Sequence, residues 1–156
     1  MTATERIAKA RTALVLDQPF WGVLALRLTL IEDAACQTAW TDGTRLGFQP
    51  TFIDGLSEPQ LRGVLAHEVL HCTNGHAWRR DGRDPLRWNI ACDLAINPVL
   101  KAAGFTLPGD ILNEARFYGH GAEWIYDRLP PLVTLPNLGG PGMGALDVRD
   151  ASTAGA

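Results

Sequence analysis

The chain has 156 residues, 46% apolar and 20% charged, with a net charge of -3. That length suits one ordinary domain with a real core, and the composition excludes a disordered chain or a collagen-like repeat. A slightly acidic balance with no large Lys/Arg cluster gives neither nucleic acid nor an anionic membrane a reason to bind.

Residues 4 to 16 carry Ile7, Ala10, Ala13 and Leu14 at helical spacing, with Thr4 as the candidate cap. Asp17-Gln18-Pro19 ends that helix. Leu24, Leu26, Leu28 and Leu30 then alternate with Val23, Ala25, Arg27 and Thr29, which predicts a strand with one buried face. Trp40-Thr41 and Arg45 to Phe48 flank Asp42-Gly43, a pair suited to a type I′ hairpin turn. A small, mostly antiparallel sheet should therefore precede the first long helix.

Ser57-Glu58-Pro59-Gln60 has the form of a capping box with proline in the first turn, and the helix it opens should reach about Thr73. A second start at Asp84-Pro85 predicts a helix ending near Asn97, because Pro98 disfavours helical geometry just before it. A short helix up to Gly104 and another over Ala122, Ile125, Tyr126 and Leu129 should follow. The chain then turns rich in Gly, Pro and Ala, so residues 1–130 read as the domain and 131–156 as a flexible tail.

Three cysteines, Cys36, Cys72 and Cys92, cannot all pair within one chain and suggest a reducing compartment. With no signal-peptide pattern and no apolar stretch long enough for an anchor, a cytoplasmic location is the expectation.

The chemistry lies in His67-Glu68-Val69-Leu70-His71. Residues four apart on a helix differ by about 40° in direction, so the two imidazoles can reach one metal ion. Glu68 sits beside them, placed to take a proton from water without binding the metal. The flanking Leu61, Leu65, Val69 and Leu70 make this a buried helix, unlike one that carries such a pattern by chance on a solvated face.

A catalytic zinc site wants a third protein ligand. Asp93 is preferred: Asn89, Asp93 and Asn97 share one face of the next helix, and a buried carboxylate needs a partner. His76, after a possible helix terminus at Asn74-Gly75, is the alternative. Asn89 and Asn97 are candidates to orient the ligands through hydrogen bonds. Tyr118, His120 and Tyr126 are candidate donors to an oxyanion. Each of these also has a structural reading, in packing, turns or a helix end.

Together with Asp42-Gly43, the run from Leu61 through His67-Glu68-Val69-Leu70-His71 to His76, then Arg83 and Trp88-Asn89-Ile90-Ala91-Cys92-Asp93-Leu94-Ala95-Ile96-Asn97, resembles the family called putative metallopeptidase domain. That family is found ahead of VWA-like domains in bacterial and phage proteins, and weaker likeness continues through Gly121 to Tyr126. The resemblance implies an α+β, zincin-like fold and matches the family at His67, Glu68, His71, His76, Asn89, Asp93 and Asn97.

The expectation is thus a peptidase with one Zn²⁺ and a peptide or protein substrate, in which Glu68 is the general base for a metal-activated water. The strand at Arg45 to Phe48 should form the cleft's upper rim, where a peptide can add as a strand. The alternatives are a catalytically silent, zinc-stabilised interaction module, and an enzyme inhibited by its own tail or by His76 in the open coordination position.

Overall fold

The computed structural model describes residues 1–109, 111–131 and 147–151. Its elements are α1 (Ala3–Asp17), α2 (Pro19–Leu26), β1 (Thr29–Glu32), β2 (Ala39–Thr41), β3 (Arg45–Phe48), α3 (Pro50–Asp54), α4 (Glu58–Thr73), α5 (Pro85–Ala102) and α6 (Ala122–Arg128). A 3-10 turn over Ala115–Phe117 precedes α6. No helix among the described residues is long and apolar enough to cross a membrane.

The first helix forms as its periodicity predicts, although the cap is Thr2, which accepts from Glu5 N while the Glu5 carboxylate accepts from Thr2 N. The strand expected over Val23 to Leu30 is corrected. Its first half is α2, started by Pro19 and burying Gly22 and Ala25, and only Thr29–Glu32 is strand. Leucine alternation gave the wrong period because Gly22 allows the new helix to lie against α1. A Cβ at Gly22 would stand 2.2 Å from Val15 N.

The sheet is mixed, not mostly antiparallel. Its order is β1-β3-β2, with β1 parallel to β3 and β2 antiparallel to it. The hairpin is present, but not with the expected type I′ turn: Thr41 pairs with Leu46, Gly43 but not Asp42 has a positive φ, and Asp42 Oδ1 accepts from Thr44 N and Arg45 N to close a longer loop. Because β3 is central, β2 is the edge strand that packs on α4. Arg45 to Phe48, expected at the rim, is therefore inside the sheet, and β2 is the edge beside α4.

Ser57 and Gln60 form the expected capping box of α4. Residues 63–71 of that helix are all buried, as in a helix surrounded by protein on every side. Asp84 caps α5, which runs through Pro98 to Ala102 without stopping at Asn97. Proline within a helix costs ~3 kcal/mol. Here Ile96 and Leu100, buried against Ala66 and Leu70 of α4, offset that cost by holding both sides of Pro98.

One core, including Ile7, Leu14, Phe48, Leu61 and Leu65, lies among α1, the sheet and α4. A second, including Trp88, Ile90, Leu94 and Ile125, lies between α5 and α6 and also contains Val148. The expected tail falls largely on residues 132–146 and 152–156, outside the described residues. Residues 147–151, within the same stretch, are instead packed on the domain, with Asp147 fully buried.

Candidate metal centre

Helices α4 and α5 face each other through a polar interior. From α4 come His67, Glu68 and His71; from α5 comes the face bearing Asn89, Asp93 and Asn97. All six are buried. The two Nε2 atoms of His67 and His71 lie 2.9 Å apart. Asp93 Oδ1 stands 3.3 and 3.2 Å from them. The fourth group is Asp147, whose Oδ2 is 2.5 Å from His67 Nε2 and 3.1 Å from His71 Nε2. One ligand atom from each of the four residues falls within 4.8 Å of every other.

Hydrogen bonds behind the rings set their orientation. Asn97 Nδ2 donates to Leu112 O at 2.9 Å, which leaves Oδ1 to accept from His67 Nδ1–H at 3.1 Å. In the neutral ring the Nε2 lone pair then points into the cluster. His71 Nδ1 lies 2.9 Å from His76 Nδ1, on the side away from the carboxylates. Burial and the neighbouring His71 push His76 down to about 2. It is therefore neutral and suited to accept the His71 N–H, while Trp88 Nε1 holds its carbonyl at 3.0 Å. His71, His76 and Cys92 make a second possible ligand set that shares His71.

Charge within the cluster is unbalanced. Burial by itself would lower His67, yet Asp93 and Asp147 hold it well above its ordinary value. His71 likewise rises to about 9 against burial, chiefly because of Asp147. Burial and Asp147 raise Glu68 to about 8, against the pull of the imidazoles. Asp93 is raised for the same two reasons. Asp147 goes the other way: burial would raise it, but His71 and His67 keep it well below the carboxylate range.

Both oxygens of Glu68, both of Asp93 and Oδ1 of Asp147 are buried without a hydrogen-bond partner among the described residues. Such orphans are costly unless something neutralises them. Two neutral rings would set lone pair against lone pair, and two imidazoliums would set N–H against N–H. Two rings sharing one proton would satisfy each other but leave the carboxylate oxygens unpartnered. One divalent cation would accept both lone pairs and neutralise those oxygens, and two imidazole nitrogens with two carboxylate oxygens form a donor set that suits it.

The structure thus brings His67, Glu68, His71 and Asp93 together, with Asn97 behind His67 and His76 behind His71. Asn89, expected to orient a histidine, instead holds the backbone of Val148. Tyr118, His120 and Tyr126 are not joined to the cluster by any hydrogen bond among the described residues. Tyr118 donates to Asn113 Oδ1, His120 stacks on Trp124, and the Tyr126 hydroxyl accepts from Asp84 N. Asp147 was missed because its setting in a Gly-rich stretch looks like tail, and its one signal is an acid between Leu146 and Val148. A hollow of about 310 Å³ lined by Leu24, Leu28, Val69 and Cys72 contains none of His67, His71, Asp93 and Asp147.

An α+β domain with buried histidines and carboxylates gathered between two helices has the form of a metallopeptidase-like domain. The family described as "Putative metallopeptidase domain" matches residues 2–154, and the chain belongs to it. No curated protein and no solved structure gives a match.

Proposed function

We propose that the domain is a zinc-dependent peptidase of the zincin type, with His67, His71 and Asp93 as protein ligands. The observation that carries this reading is the Glu68 carboxylate, buried without a hydrogen-bond partner among the described residues beside the two histidines and Asp93. A site whose metal only braces the fold has no use for such a group.

The His67, His71, Asp93 set is favoured over His71, His76 and Cys92. Its two histidines lie within one turn of Glu68, and both Asp93 carboxylate oxygens are buried without a hydrogen-bond partner among the described residues. When bound, zinc supplies Lewis-acid chemistry, polarising the scissile carbonyl and making water more acidic. Glu68 takes a proton from water as the water oxygen bonds to the carbonyl carbon. It passes that proton to the amine nitrogen as the C–N bond breaks. Asn97 and His76 keep the imidazoles in the orientation these steps need.

Glu68→Gln tests the proposal: zinc content should stay at the wild-type level while hydrolysis of an unstructured protein substrate falls by about 10²–10⁴-fold. Undiminished hydrolysis in that variant would contradict the role given to Glu68. One observation favours a second reading, a silent zinc-stabilised interaction module. Asp147 gives the cluster a fourth protein group, and four protein ligands are the mark of a closed structural site. That reading requires Asp147 to be a permanent ligand.

A further inference from the structure

Residues 147–151 lie against β2, α5 and the loop after α4, and several backbone hydrogen bonds hold them there. Thr41 N donates to Asp147 O and Arg149 N donates to Thr41 O, both at 2.8 Å. These bonds pair Val148 in parallel with Thr41 on edge strand β2. From the opposite side Asn89 clasps the same residue, its Oδ1 accepting from Val148 N at 2.7 Å and its Nδ2 donating to Val148 O at 3.1 Å. Ala151 N donates to Ala77 O at 2.9 Å. Contacts of this kind read main chain and accept many sequences.

Side chains add to the fit: Val148 is buried in the second core, and Arg149 lies over the Trp40 ring at 4.0 Å and 3.5 Å from Asp33 Oδ2. Asp147 enters the cluster by one oxygen and leaves the other buried and unbonded among the described residues. At the outer end, exposed Asp150 pairs with the Arg80 guanidinium at 2.8 and 2.6 Å. Asn89 is buried on the same face of α5 as Asp93 and turns both amide atoms to this segment, its Nδ2 also donating to Pro85 O at 2.9 Å. A buried amide and a strand edge converging on one short stretch of backbone form a track for an extended chain. The carboxylate at its head occupies the place that a peptidase must leave open.

We propose that Thr41, Asn89 and the Ala77 carbonyl form the peptide-backbone track of the cleft. Its ligand is an extended peptide that presents a carboxylate to His67 and His71, and residues 147–151 are an internal occupant that such a peptide displaces. The proposal rests on the peptidase reading for its biological sense, but it is tested by binding alone.

The probe is a fluorescein-labelled peptide, Asp-Val-Arg-Asp-Ala, titrated by anisotropy into the zinc-loaded full chain carrying Glu68→Gln, so that no turnover intervenes. A tethered occupant competes at an effective concentration on the order of millimolar, so Asp147→Ala should tighten probe binding by at least ~10-fold. Asp150→Ala, a surface change that loosens only the outer end, should tighten it by a smaller factor. Adding Asn89→Ala to either variant should remove the gain.

Thermal melts and zinc content of each variant establish that it is folded and loaded. If Asp147→Ala does not fold, the Asp150→Ala comparison decides. Equal binding to the parent and the released variants, or binding to none, overturns the proposal and makes residues 147–151 a permanent strand. Tight binding in the released variants, in a protein whose Glu68-intact form hydrolyses nothing, would sink the peptidase reading and leave the track standing.

Discussion

At the scale of single residues, His67 and His71 act through what stands behind them. Asn97 fixes the ring of His67 because its own amide is already committed to Leu112, and a ligand without such a partner can rotate. Asn97→Ala should therefore lower zinc affinity by about 10–100-fold, read by competition with a chromophoric chelator. Affinity within error of the parent would rule out this role. His76→Ala should have an effect of the same kind, weaker than that of Asp93→Ala, which removes a proposed ligand. If only the His76 change released the metal, the choice of Asp93 over His76 would be wrong.

At the scale of elements, the long helices are set by their ends and by one close approach. Ser57 satisfies Gln60 N and Gln60 returns the bond to Ser57 N, so α4 starts at a defined residue and His67 and His71 take a defined depth. Ser57→Ala should cost ~1 kcal/mol in urea unfolding. Gly63 is more demanding, since a Cβ there would stand 1.9 Å from the carbonyl oxygen of Thr106. Backbone cannot swing aside as a side chain does, so Gly63→Ala should cost ~1–3 kcal/mol, the range for overpacking. A variant as stable as the parent would mean that the 105–107 loop yields without penalty.

For the whole molecule, a cation held between α4 and α5 would tie the two cores together, and whatever binds only the folded state stabilises it. Chelation should lower the melting temperature, and zinc should restore it in a concentration-dependent way. A melt unaffected by chelator would count against a resident metal. Acid should act at a second place as well. Arg79 holds Glu123 below its ordinary 4.5 through a charged hydrogen bond that joins the loop after α4 to α6. A depressed carboxyl stabilises the fold above its unfolded value and loses that contribution as pH falls through the folded one. Stability should thus decline below about pH 4.5, less steeply in Glu123→Gln.

Much of this was legible in the chain itself. The Ser57 capping box, helical spacing and the His67-Glu68-His71 pattern are local signals, settled within one or two turns of backbone, so they marked the His-bearing helix and the face of Asn89, Asp93 and Asn97, as Asp42-Gly43 marked the hairpin. The leucine alternation before Ile31 misled because a period holds only when its neighbours allow it, and Gly22 let a helix pack where a strand was expected. Pro98 misled likewise, since the burial of Ile96 and Leu100 outweighed a local preference. Tertiary structure alone decided the parallel pairing of β1 with β3, the place of β2 at the edge, and the entry of Asp147 between the histidines. Those depend on contacts between residues far apart in the chain, and no window of sequence contains both partners.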